Sequence, residues 1–181
     1  SNTVSITVSR RVEINATKMI YPVNRSITFP AGATELVTAL KNTSTTTFYP
    51  LIRFAIVDVQ STGSSVRVSN ADNGGDGVSS QAIFDYSSLI EGGDLIANEE
   101  SGNRTIRFNN PNTVLFTFKA KVWAYTLNGS VPASGSGGGS GTDGSSDSSG
   151  SSSGDLDGLT GNLLQFTVNP LTKTVSITLL Q

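Results

Sequence analysis

Residues 114–125 constrain the fold more than any other stretch. Val114, Phe116, Phe118, Ala120 and Val122 alternate with Leu115, Thr117, Lys119, Lys121 and Trp123. Successive side chains of a strand point to opposite faces, so period two marks a strand with one face buried. The same period recurs at residues 3–14, where Val4, Ile6, Val8, Val12 and Ile14 oppose Ser5, Thr7, Ser9, Arg11 and Glu13. No stretch of about ten residues carries a convincing 3.6-residue period. A short helical turn around residues 86–89 is the only helix expected.

Other segments fill in the pattern. Residues 26–29 precede the turn signal Pro30-Ala31-Gly32. Residues 35–40 supply Leu36, Val37 and Leu40. The run 48–59 is the most apolar and is rich in β-branched residues, which suits a central strand covered on both faces. Shorter candidates lie at 65–68, 82–86 and 105–108. Seven to nine such segments, with turn signals roughly every 8–12 residues, predict an all-β protein: an immunoglobulin-like antiparallel β-sandwich over residues 1–132.

The chain then changes character. Residues 133–158 are almost entirely Gly, Ser and Asp, too poor in apolar surface to offset the entropy of ordering. Such a tether has an r.m.s. span of about 25–30 Å and a limit of about 85 Å. Ser134 to Gly141 resembles an engineered linker, whereas the irregular, Asp-bearing remainder reads as natural sequence. Residues 159–181 regain strand character: 163–168, a turn at 169–172, and 173–180 with Val175, Ile177 and Leu179 on one face. A lone β-hairpin is marginal in water, so this one is expected to pack on the sandwich or on a neighbouring subunit.

The two ends are alike. Thr3-Val4-Ser5-Ile6-Thr7-Val8 and Thr174-Val175-Ser176-Ile177-Thr178-Leu179 nearly coincide. Both can be generic amphipathic strands. Both can also be donors: a strand on a tether adds its backbone to a free sheet edge and seats alternate side chains in pockets. Val4, Ile6 and Val8, or Val175, Ile177 and Leu179, are the candidate donor residues. Repeated head to tail, such a contact builds a homopolymer.

Composition excludes much else. The 181 residues carry a net charge of −2, with no Cys and no His. Without Cys there is no disulfide or thiolate chemistry; without His the usual triad and the commonest transition-metal ligand are lost. No basic run favours nucleic acid, and no apolar run reaches the roughly 18 residues of a membrane helix. No phosphate-binding loop and no S-x-x-K motif occur. Ser1-Asn2-Thr3 reads as a mature end or as a cut boundary. The expectation is an extracellular or cell-surface protein that is not an enzyme.

Weaker candidates remain. Asp72, Asp76, Asp85 and Asp94 lie in glycine-rich loops that could supply oxygen ligands to calcium; Asp155 and Asp157 form a second acidic pair. A paired-carboxylate hydrolase built from Asp85, Glu91 and Asp94 is remote. Trp123, Tyr125, Tyr21, Tyr49 and Tyr86 could stack on host-surface sugars or glycans, although such aromatics more often pack cores. Sequons occur at Asn15, Asn24, Asn42, Asn103 and Asn128, about the number chance gives in a Ser/Thr-rich chain.

A resemblance adds to this. Asn42-Thr43-Ser44, Tyr49-Pro50-Leu51-Ile52, Asn70-Ala71-Asp72, Asp85-Tyr86-Ser87-Ser88-Leu89, Gly92-Gly93-Asp94-Leu95 and Phe108-Asn109-Asn110-Pro111 run in order. Residues 41–125 thereby resemble bacterial or archaeal cell-surface immunoglobulin-like modules, which act as spacers or adhesive units. Asn98-Glu99-Glu100-Ser101-Gly102 departs from the family's Pro-Gly-Glu-Ser-like turn. The resemblance implies no catalytic residues. With the tether and hairpin, it implies a subunit of an extracellular filament or pilus; the alternative is a monomeric adhesion or carbohydrate-binding module.

Overall fold

The computed structural model describes residues 9–127 and 161–181, and these form two antiparallel sheets. The strands in chain order are β1 (Arg11–Asn15), β2 (Ile20–Thr28), β3 (Ala33–Asn42), β4 (Tyr49–Ser61), β5 (Arg67–Val68), β6 (Ala82–Asp85), β7 (Arg104–Asn109), β8 (Phe116–Leu127), β9 (Leu163–Asn169) and β10 (Thr174–Leu180). One sheet runs β10-β9-β8-β4-β6, with β1 also on β8; the other runs β2-β3-β7-β5. The only helical element among the described residues is a 3-10 turn, Ser87–Leu89, where the expected helical turn lies.

The alternating strand β8 is the spine. Its even-numbered residues Phe116, Phe118, Ala120, Val122 and Ala124 are buried, as their period predicts. They face Leu36, Leu40, Ile106 and Phe108 of the other sheet in one continuous core. Phe108 lies 4.9 Å from Phe116 and 5.1 Å from Phe118, ring centre to ring centre, so the two sheets interlock through aromatics. Each such buried ring contributes roughly 1.5–3 kcal/mol by leaving water.

β8 is longer than either neighbour on one of its sides. β1 pairs with its C-terminal half, from Arg11 opposite Leu127 to Asn15 opposite Trp123. β9 pairs with its N-terminal half, from Leu164 opposite Ala120 to Val168 opposite Phe116. The two strands therefore lie end to end on one flank of β8. Asn15 spans the junction, donating from Nδ2 to the Asn162 carbonyl at 3.2 Å.

The C-terminal hairpin is part of the sandwich. Leu163, Leu164, Phe166 and Val168 of β9 are buried. Phe166 stacks on Phe118 at 4.3 Å with planes 9° apart, and meets Phe54 edge-on at 5.9 Å. The partner strand β10 continues the same inner face in register: Val175 opposite Val168, Ile177 opposite Phe166, Leu179 opposite Leu164.

Two strands differ from their sequence patterns for physical reasons. β2 spans nine residues, beyond the expected 26–29, because Pro22 and a bulge between Asn24 and Ser26 break its alternation. β4 is central, as expected, but its outer face carries Arg53 and Asp58 paired to Glu13 and Lys119, so it is not covered on both faces.

Candidate functional site at a free sheet edge

The backbone groups at the rim of a sheet are the first thing a partner strand can use. At four of the five rims among the described strands, side chains or loops blunt that capacity. At β6, Ile83 N–H donates to Asn73 Oδ1 at 2.9 Å and Asp85 N–H to Asp72 Oδ2 at 2.7 Å. The Ile83 carbonyl accepts from Asp72 N–H at 2.9 Å, and the Gln81 carbonyl from Asn73 Nδ2 at 2.8 Å. Two residues of one loop thus occupy that edge. β5 is two residues long, and its Val68 N–H donates to the Asp76 carbonyl at 2.9 Å. β2 carries Pro22, its bulge, and Arg25 paired with Glu100. β1 is five residues long and bears Arg11 and Glu13, the latter paired with Arg53.

β10 has none of these devices. Its seven residues Thr-Val-Ser-Ile-Thr-Leu-Leu include no Pro and no charge, and its register on β9 is unbroken. On the solvent face stand Thr174, Ser176 and Thr178; on the inner face Val175 and Ile177 are half-buried, and Leu179 is 37% exposed. The apolar inner face is therefore covered from above by the core but open along the rim. A further strand with alternating apolar residues would close it.

The candidate donor residues fall in two places. Val175, Ile177 and Leu179 are these rim residues. Val4, Ile6 and Val8 lie outside the described residues. The sequence reading placed a strand at 163–168 but did not single out its core-filling residues, Leu163, Leu164, Phe166 and Val168 of β9. Their greater bulk, with two Leu and a Phe against Val, Ile and Leu, was the available signal.

The carboxylates do not converge. No group of three or more acidic residues among the described residues could hold a metal. Each of three candidates has a structural partner. Asp72 pairs with Arg104 and seals β6. Asp76 accepts from Val78 N–H at 2.9 Å, Ser79 N–H at 2.7 Å and Ser80 N–H at 3.3 Å, and pairs with Arg67. Those backbone donors, Val78 and Ser79 foremost, hold its carboxyl well below the usual carboxylate range, against a smaller opposing effect of burial. Asp85 accepts from Ser87 N–H at 2.9 Å at the start of the 3-10 turn. Asp94 sits in the turn after Gly92 and Gly93, both at positive φ. The oxygens of Asp72, Asp76 and Asp85 thus tie loops to strands. Asp155 and Asp157 lie outside the described residues.

The aromatics are likewise divided. Tyr86 is fully buried, its hydroxyl donating to the Thr38 carbonyl at 3.4 Å; burial raises its pKa well above the usual tyrosine value. Tyr21 is on the other sheet. Trp123, Tyr125 and Tyr49 share the outer face of the six-stranded sheet, where the Arg11 guanidinium lies 4.6 Å from the Tyr49 ring centre and the Lys121 amine 5.7 Å from that of Trp123. Cations cover two of these three rings.

One sequon is corrected outright. Asn42 is fully buried, and its Nδ2 donates to the carbonyls of Thr46 at 2.6 Å and Leu95 at 3.1 Å. Its amide is a structural tie and is closed to a glycan in the folded chain. Asn15 is half-buried at the β1–β9 junction; Asn24 and Asn103 are exposed; Asn128 lies outside the described residues.

No helix among the described residues is long and apolar enough to cross a membrane. Comparison with protein-family models, with curated proteins and with solved structures gave no match.

Proposed function

We propose that this protein is a structural subunit of an extracellular filament or pilus, joined to copies of itself by β-strand donation. One observation carries the reading: β10 presents an uncharged, unbulged apolar edge, whereas every other described rim is shortened, charged, kinked or sealed. A long bare edge in a monomer is an aggregation hazard that folded proteins ordinarily suppress. Suppression at four rims and its omission at the fifth fits an edge used for assembly. The immunoglobulin-like kinship of residues 41–125 belongs to the same proposal, as does the absence of catalysis. Surface location fits a chain without Cys whose polar residues are chiefly Ser, Thr and Asn.

The test compares the full chain with its Ile177→Lys variant by light scattering and negative-stain microscopy over a concentration series. An inward-pointing charge at a rim opposes strand addition. The full chain is expected to form polymers, and the variant about tenfold fewer while still melting cooperatively. A full chain that stays monomeric at every concentration, seeded or not, overturns the proposal.

A further inference from the structure

Resting on that reading, we propose which strand is donated and how it sits: residues 3–8 of one copy pair antiparallel with the outer edge of β10 in the next, with Ile6 opposite Ile177.

The pattern comes first. Val4, Ile6 and Val8 alternate with Thr3, Ser5 and Thr7. On β10, Val175, Ile177 and Leu179 alternate with Thr174, Ser176 and Thr178, and the apolar set is the one left uncovered along the rim. With Ile6 opposite Ile177, Val8 falls opposite Val175 and Val4 opposite Leu179. Apolar residues then meet on the inner side, and hydroxyls meet on the solvent side. Any shift by one residue would point Val4, Ile6 and Val8 at solvent. Neither partner strand carries a charge.

Reach decides that the donor belongs to another copy. Arg11 is opposite Leu127, at the far end of β8. The near end of β10 is Leu180, opposite Leu163, which lies level with residue 121 of β8. Arg11 is thus six strand positions, about 20 Å, beyond that end, and a strand outside β10 lies two strand spacings, about 10 Å, to the side. Only three residue steps lead from Val8 to Arg11, spanning about 10 Å at full stretch. A chain cannot lay residues 3–8 along its own β10.

Direction follows. Every pairing in both sheets is antiparallel. An antiparallel donor enters with Val8 beside Val175, at the Phe116 end of β8, so its own sandwich lies beyond that end. The acceptor's own β1 begins with Arg11 opposite Leu127, at the other end of β8. Donor and acceptor surfaces are different, so the contact repeats without closing. Pairing of β10 with β10 would instead close as a two-fold dimer.

The experiment exploits a chain without cysteine. Full chains bearing Ser5→Cys and Thr178→Cys singly are mixed and oxidised; these positions are opposed in the stated register. The expected result is a disulfide between the two variants at least about tenfold above that of a Ser5→Cys and Ser64→Cys mixture, because only opposed Cβ atoms meet disulfide geometry. A second arm adds a synthetic peptide of residues 1–10 to full-length Ile6→Asp chain. The peptide is expected to slow amide exchange across residues 174–180, and a scrambled peptide is not. Cross-linking among Thr178→Cys and Ser176→Cys chains alone, with no peptide protection, overturns the inference in favour of β10–β10 pairing. Disulfides between Thr117→Cys and Thr167→Cys on separate chains, without peptide protection, overturn it in favour of hairpin exchange. Polymers that persist undiminished in Ile6→Asp overturn it while leaving the filament reading intact. Peptide protection in a full chain that never polymerises leaves the pairing intact and sinks the filament.

Discussion

The six-stranded sheet ends in two rims that have been treated in opposite ways. At β6, the loop residues Asp72 and Asn73 spend both backbone and side chain on the edge of Ile83, Asp85 and Gln81. At β10 the edge is seven residues of Thr, Val, Ser, Ile and Leu with no strand paired to its outer side among the described residues. The same sheet, with the same pleat and hydrogen-bonding capacity, has its rim capped by a loop on one side and left without a paired strand on the other. Edge behaviour is therefore decided by a few side chains rather than by the fold.

The comparison can be broken most severely at the strand that holds β10 in place. Phe166→Ala removes a ring stacked on Phe118 and edge-on to Phe54 and is expected to cost about 3–5 kcal/mol, read as a large fall in Tm. It should take β10's edge with it, so assembly falls together with stability. Next in size, Asn73→Ala strips the β6 edge of one acceptor and one donor. The expected loss is about 1–3 kcal/mol by denaturant titration, with new concentration-dependent association that Ile177→Lys does not suppress. Ile177→Lys itself, at a half-buried rim position, should cost only about 1–2 kcal/mol while lowering assembly about tenfold. Asp76→Asn tests the seal at the neighbouring β5 edge. The folded carboxyl titrates below its usual value of 3.8, so the stability it contributes is present above that pH and is lost as pH falls toward the depressed value. The stability difference between Asp76→Asn and the parent chain should thus be constant from pH 7 to 5 and shrink on acidification, as followed by Tm.

Periodicity made the spine legible. The alternation through residues 114–125 predicted which face of β8 meets the core, because period two has one reading there; Lys121, on the other face, is buried as well. β2 was under-read because Pro22 and the bulge interrupt the same signal. Asn42 could not be told from an exposed sequon, since the same three residues serve either role. Only the carbonyls of Thr46 and Leu95, the latter distant in sequence, decide it. The acidic loops invited a metal because carboxylates crowd in sequence. In space no three of them form a metal-holding group among the described residues, and Arg67, Arg104 and backbone N–H groups take up their oxygens, contacts between loops and strands that leave no local pattern. The bare edge was only indirectly legible: the matching ends marked residues 174–179 as a candidate donor strand, but the exposure of β10 as an edge depends on β9 taking the inner position, which no hairpin sequence states.

The end-to-end placement of β1 and β9 on β8 has a mechanical meaning. In a chain of copies joined as proposed, tension enters along β10 at one end of the subunit and leaves along β1 at the other. It crosses β9 and β8 on the way and bypasses the second sheet. Each junction on that route is a ladder pulled lengthwise, so its hydrogen bonds share the load and must fail together rather than open one at a time. Asn15, bonded to Asn162 where the two collinear strands abut, sits at the splice. A thread built this way would be stiffest along the one line of strands its own two ends define.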